Sequence, residues 1–299
     1  LSSSSMGGLG ISLILMSKRQ ALKMSLCNIT KEIKTMLNKN SIYFRNIWDR
    51  RKSLTIWTIV LSLLAMLIIS MYDSVGREAA KLFENSNNFT AFFGGDVDTS
   101  SPAGWLGFEL YAIFLPICLA IITIGIGAST IGSEEESGTL ELLLASPINR
   151  SRIIIEKAMM LVTVAVIIPV IIFLTVCLSN SLFIFGIDLI NVFFCTIALS
   201  LFGIYFGFFA LAMQSLTKRR GLGMSITGFY VGASYFMNTL YTIWDSIEPM
   251  KFLSPFYYYD GNMLLQGSVE PINIMILTGG VLLFFLAAYF SFMNRDTGI

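Results

Sequence analysis

Between Gly132 and Lys157 the chain places three adjacent carboxylates, Glu134, Glu135 and Glu136, ahead of a leucine-rich run and a basic flank at Arg150, Arg152 and Lys157. Side chains of these types recognise charge and apolar surface rather than make or break covalent bonds. Ser133 and Glu136 have capping-box spacing. Gly138 permits a sharp turn, and Thr139 is placed to cap a second short helix that stops before Pro147. On that helix Leu140, Leu143 and Leu144 fall at i, i+3 and i+4, a ridge of about one and a half turns with Glu141 offset from it. An apolar ridge beside three carboxylates sits badly in an acidic inner leaflet. Two readings fit the periodicity equally: a helix docked in a groove on another protein, and leucines tucked beneath the chain's own bundle. The carboxylates likewise read either as partner contacts or as a solvated cluster at helix N-termini.

Much other chemistry is excluded. Histidine is absent, which removes His-dependent triads and the commonest metal ligand. No Gly-x-x-x-x-Gly-Lys-Ser/Thr loop occurs, and the dipeptide Gly-Lys is itself missing, so no phosphate cradle of an ATPase is expected here. Cys27, Cys118, Cys177 and Cys195 are widely separated, and three lie in apolar runs as small packing residues. A net charge of +1 gives no concentrated basic face for nucleic acid. Candidate substrate contacts are few. Glu109 and Asp188 fall at the edges of apolar segments, where charge is cheap, and read first as interface or hairpin residues. Phe202, Tyr205, Phe206, Phe209, Tyr230, Tyr235, Phe236 and Asn238 offer surface for an amphipathic molecule, with helix packing and lipid contact as the plainer account.

The elements that must position these groups are membrane helices. Of 299 residues 55% are hydrophobic and 13% charged, with mean hydropathy +0.73; soluble domains have roughly 45–50% and 25%. Six segments meet the length of about 20 apolar residues that a bilayer requires: Leu54 to Tyr72, Leu110 to Ile131, Ala158 to Leu178, Leu189 to Met213, Gly221 to Trp244 and Ile272 to Met293. With that topology seventeen Lys and Arg fall on the side of both termini and three, Arg77, Lys81 and Lys251, on the other. The positive-inside rule then makes both termini cytoplasmic, in a multi-pass protein of the cell membrane. Pro116 and Pro169 are candidates for loosening spans two and three.

Outside, Asp73 to Glu109 and Asp245 to Pro271 are long enough to hold short helices, and Ser179 to Asp188 is a tight connection. Glu78 to Phe93 reads as a segment resting on the outer interface, and Trp244 with Phe256 to Tyr259 as an aromatic belt. Residues 17–53 form a basic amphipathic segment, with Ile29, Ile33, Leu37, Phe44, Ile47 and Trp48 at near-helical spacing. It serves as a lipid anchor or as a lever on a partner. Residues 1–16, Ser/Gly-rich at the start, are expected to be a processing remnant or appended tail, leaving 54–299 as the six-span domain.

The run from Glu134 to Arg150, with Lys157 after it, resembles the Glu-Glu-x-x-Gly-Thr-Leu-Glu-Leu-Leu-Leu-x-x-Pro-x-x-Arg signature of the ABC-2 family of ATP-binding-cassette transporter permeases. Phe93 to Gly95, Ser101 to Trp105, Leu253 to Tyr259 and Asn294 to Asp296 are similar to further stretches of that family, and the resemblance covers roughly residues 45–299. It implies an all-α membrane protein with six transmembrane helices, an N-terminal amphipathic helix and a coupling helix between spans two and three. It also implies two permeases, copies or relatives, assembled with two cytoplasmic nucleotide-binding subunits that carry ATP and Mg, this chain binding no cofactor itself. The ATPase-coupling residues would be Glu134, Glu135, Glu136, Gly138, Thr139, Leu140, Glu141, Leu143, Leu144, Pro147 and Arg150; Glu109, Tyr205, Phe206, Tyr235 and Asn238 would line the substrate path.

Three function classes compete. An ATP-driven permease, exporting an amphipathic, peptide, drug or lipid-like substrate, accounts for the acidic, leucine-rich loop. An ion-coupled carrier calls for paired intramembrane acids or interrupted half-helices in matching halves, which the sequence does not display. An intramembrane enzyme needs a buried nucleophile with a base or metal, and fits least.

Overall fold

The structure, a computed structural model, describes residues 42–76, 101–138, 149–217, 219–241 and 245–294, without the side chains of 245–248. Every regular element among them is helical. Helix α1 is Ile42–Met71, closed by a π-turn at Tyr72–Gly76. Short α2, Pro102–Leu106, runs through a π-turn at Gly107–Tyr111 towards α3, Phe114–Glu136. Then come α4, Arg150–Phe183, α5, Leu189–Thr217, and α6, Arg220–Leu240. A 3-10 turn at Asp245–Leu253 leads to the short helices α7, Pro255–Tyr259, and α8, Gly261–Leu265, and finally to α9, Pro271–Met293. The chain divides into two units, 1–49 and 50–299; the described part of the first, 42–49, is the beginning of α1.

Helix α5 is the hub of the second unit, packed against α3, α4, α6 and α9. It has no side chain at Gly203 or Gly207, one turn apart. A Cβ on Gly203 would stand 2.7 Å from Leu119 of α3, one on Gly207 2.7 Å from Leu161 of α4, and one on Gly127 of α3 would collide with the Gly207 carbonyl. Small residues at this spacing let membrane helices approach closely where no hydrophobic drive between them exists. Phe202 and Phe206 of the same helix are wholly buried, with Phe202 packed on Phe206 and Phe256. Outward faces are apolar throughout: Leu63 and Leu67 on α1, Leu174 and Leu178 on α4, and Met275 and Leu283 on α9 are all half or more exposed.

The helices add detail to four of the sequence expectations. The first span has no break at residue 53, since α1 continues unbroken from Ile42. The second starts earlier and ends later than Leu110 to Ile131: helical turns begin at Pro102 and, after a turn at Ala112 and Ile113, α3 runs on to Glu136. Pro116 lies in the first turn of α3, where no intrahelical N–H is needed, and α4 runs straight through Pro169. Five helical segments are long and apolar enough to cross a bilayer: 42–76, 102–136, 150–183, 189–217 and 271–293. The remaining expected span is helix α6, diluted by four glycines and by Ser225, Thr227, Ser234, Asn238 and Thr239.

Connections agree better with expectation. The link from α4 to α5 is tight: Asn180 Oδ1 accepts the N–H groups of Gly186 and Ile187 at 2.9 and 3.2 Å, and Asp188 Oδ1 accepts Ile190 N–H at 3.1 Å. Asp188 is therefore a hairpin residue. The segment before α9 holds short helices, as its length suggested. Residues 17–41 and the expected interfacial segment Glu78 to Phe93 lie outside the described residues.

Candidate functional site

The acidic triplet occupies the last turn of α3. Ser133 is not an N-cap, as its spacing to Glu136 suggests, but an interior residue of that turn: its carbonyl accepts Ser137 N–H at 3.1 Å. The helix ends at Ser137, and Gly138, at φ +69°, donates its N–H to the Glu135 carbonyl at 3.1 Å. That is the left-handed exit from a helix, which glycine adopts without strain. The carboxylates consequently sit at the negative end of the helix dipole rather than at an N-terminus, a placement unfavourable by roughly 0.3–1 kcal/mol each unless partners offset it.

Each carboxylate meets a partner from a different helix. Glu134 Oε2 lies 2.5 Å from Lys157 Nζ of α4, whose side chain has no exposed surface and also donates to the Thr130 carbonyl. Glu135 Oε2 accepts from Gln214 Nε2 of α5 at 3.3 Å, and Gln214 is wholly buried. Glu136 pairs with Arg220 of α6 at 3.7 Å, both partly exposed. One turn earlier, Arg50 of α1 donates to Ser129 Oγ. Gly132 admits this convergence, since a Cβ there would stand 2.7 Å from the Arg220 Cβ and 3.0 Å from the Gln214 amide. The end of α3 is thus tied by polar contacts to α1, α4, α5 and α6. Arg152 and Glu156 pair at 2.8 Å within α4.

Arg150 opens α4 after Asn149. Thr139, Leu140, Glu141, Leu143, Leu144 and Pro147, and with them the expected short helix, lie outside the described residues. What the structure supplies is the frame on either side of them: the exit from α3 and the entry to α4.

The expected substrate-path residues divide. Tyr235 and Asn238 line one cavity at the other end of the bundle, beside Tyr259 and Asp260. At about 30 Å³ it has room for a water or two, not an amphipathic molecule. Phe206 is core, its ring 6.3 Å from Phe256, which in turn lies 5.5 Å from Tyr235. Tyr205 packs on Phe284 and shares a 3.1 Å hydrogen bond with Tyr230. Glu109, half-buried in the π-turn before α3, does not line that cavity.

Sequence reasoning missed Gln214, Arg220 and Arg50 as partners of the acidic end. Gln214 carried a signal: an amide inside an apolar span must find a hydrogen bond or bear a large desolvation cost.

Comparison with curated proteins finds no match. A family model described as ABC-2 family transporter protein matches residues 41–297, a range that holds every described helix. With its apolar helices long enough to span a bilayer, the chain belongs to the ABC-2 family and is a multi-pass permease component of an ABC transporter.

Proposed function

We propose that the chain is one of two membrane subunits of an ATP-driven exporter of amphipathic cargo, and that the short helix expected between Thr139 and Pro147 is a coupling helix gripped by a separate cytoplasmic ATPase. The observation that carries this reading is the distribution of Glu134, Glu135 and Glu136 over α4, α5 and α6. Residues 139–148 are joined directly to that turn, so a displacement imposed on them reaches four helices at once. ATP and Mg act at the ATPase. Coupling needs the docking surface to bind two ATPase states with different affinity, because equal affinity shifts no equilibrium.

Helix α6 is the sixth span in this reading. Its 21 residues reach about 31 Å, the thickness of the hydrocarbon core. It buries Gly223, Thr227, Ser234 and Thr239 and exposes Leu222, Ile226, Phe229 and Phe236. Small and polar residues inward with large apolar ones outward is the reverse of a water-facing helix and suits one surrounded by lipid. Six spans, with the basic residues counted as above, put both termini and the acidic end in the cytoplasm. The 30 Å³ cavity that Tyr235 and Asn238 line is too small for the cargo, and in this reading the path lies between two permease subunits.

The test is copurification of the full chain with candidate ATPases. Leu143→Asp and Leu144→Asp are expected to abolish association while membrane insertion persists; association at the wild-type level would remove the docking role.

A further inference from the structure

The end of the bundle opposite the acidic triplet carries a second organised site. Residues 253–266 are tied down by buried contacts: Ser254 Oγ donates to the Ser234 carbonyl at 2.8 Å, Tyr259 Oη to the Tyr111 carbonyl at 3.1 Å, and Asn191 Nδ2 to the Leu265 carbonyl at 3.2 Å. Asp260 joins α7 to α8, its Oδ1 accepting Met263 N–H at 3.1 Å. Burial pushes its carboxyl above the usual carboxylate range, against the pull of the Met263 and Asn262 N–H groups.

Beside it opens a cavity of about 350 Å³, the lower part of the range of small-molecule sites. Tyr241, Tyr257, Tyr258 and Tyr259 wall it, Asp260 and Glu270 supply carboxyl groups, and among the described residues no lysine or arginine lines it. Two of these rings already hold a cation. Lys251 Nζ lies 5.4 Å from the centroid of Tyr257 and 5.7 Å from that of Tyr241, with Phe252 at 5.3 Å. All three fall within the ~6 Å at which a ring face attracts an ammonium group.

We propose that this cavity binds a small organic ammonium ion, which stacks on the tyrosines and faces Asp260 and Glu270, and that Lys251, held beside two of the same rings but outside the lining, opposes it as a like charge. An anion would meet two carboxyl groups with no cation among the lining residues. A neutral ligand would leave both carboxyl groups uncompensated as they desolvate. The site needs nothing from the ATPase-coupling reading and stands if that reading falls.

The experiment uses the purified full-length chain in a nonionic detergent, titrated with choline and, in parallel, with its uncharged tert-butyl isostere, followed by ligand-observed saturation-transfer NMR. Wild-type protein is expected to saturate with choline and not with the isostere. Lys251→Met, by removing a like charge beside the rings, should tighten binding about fivefold. Asp260→Asn, which can still cap Met263 N–H, should weaken it about tenfold. Equal saturation by choline and the isostere, no saturable signal in either the wild type or Lys251→Met with the protein still eluting as a folded species, or undiminished binding in Asp260→Asn would overturn the proposal.

Discussion

The two ends of the bundle are closed by different chemistry. At the acidic end, contacts run mostly from the tip of one long side chain to another, Glu134 to Lys157 and Glu136 to Arg220, with Lys157 reaching the Thr130 carbonyl as well. At the aromatic end, hydroxyl groups reach backbone carbonyls, Tyr259 to Tyr111 and Ser254 to Ser234, among rings in edge and tilted contact such as Phe202 with Phe256 at 4.8 Å. Long charged side chains can follow a helix that shifts by an ångström or two. Buried rings and short hydroxyl-to-carbonyl bonds cannot do so without opening a packed interior. Under the proposed coupling the acidic end is the part that moves and the aromatic end the part that holds, and each contact offers a way to strain that assignment.

The largest effect is expected at the buried pair. Glu134→Leu leaves the fully buried Lys157 ammonium with the Thr130 carbonyl as its remaining partner shown here, and should destabilise the protein by about 3 kcal/mol. Adding Lys157→Met should restore most of the loss, because replacing both partners by apolar groups removes the desolvated charge instead of stranding it. Thermal unfolding in detergent micelles, monitored by tryptophan fluorescence, measures both. A double variant no more stable than the single one would mean that the pair does not act as a unit. Transport, by contrast, should stay impaired in the double variant, since the tie between α3 and α4 is gone.

Next in size is the apolar middle that both ends share. Gly127→Val would drive a side chain into the Gly207 carbonyl, and overpacking of this kind costs about 1–3 kcal/mol. The same unfolding measurement should register it with ATPase association unaffected, because the contact lies turns away from the acidic exit. Loss of association in Gly127→Val would show that the middle of α3, and not only its end, is part of the coupling.

How much of this was readable without coordinates depends on the kind of interaction. Span existence was legible because it follows from length and apolarity alone, and the compositional sum that selects α1, α4, α5 and α9 is local. Helix α6 was legible as a helix, yet its polar content leaves it short of the plain apolar criterion; only the burial of Thr227 and Ser234 shows which way that content faces. The capping-box reading of Ser133 failed because the same Ser-x-x-Glu spacing occurs inside helices. Nothing local distinguishes the start of one helix from the last turn of another until the left-handed Gly138 is seen. The spacing of Gly203 and Gly207 was visible, but not that Leu119 and Leu161 would occupy the two notches. Partners such as Gln214, 79 positions from Glu135, are fixed by the parallel packing of α3 against α5 and have no local trace.

At the aromatic end a smaller change is expected. Tyr259→Phe keeps the ring, and with it the contact to Phe202 at 5.1 Å, while deleting the hydroxyl that donates to the Tyr111 carbonyl. A buried neutral hydrogen bond is worth about 1 kcal/mol. Hydrogen exchange of the amides in α7 and α8 should rise while that of α6 stays as it was. Uniform loosening of the whole bundle would contradict a rigid cap held by discrete bonds.

The smallest effect should come from Arg220→Ala, which makes it the sharpest test of which end moves. The Glu136–Arg220 pair is 3.7 Å apart, with side chains 56% and 38% exposed, so solvent screens it and its removal should cost between 0 and about 1 kcal/mol. Stability should therefore barely change. If the acidic end transmits displacement, however, α6 loses its ionic tie to α3, and ATP hydrolysis by the bound ATPase should continue with less transport per ATP, a ratio measurable in proteoliposomes. Arg220→Lys, which keeps the charge, should recover most of that ratio. Full coupling in Arg220→Ala would mean that α6 follows α3 through the packing at Gly132 alone, and the ionic contact would then be a surface pair with no part in the stroke.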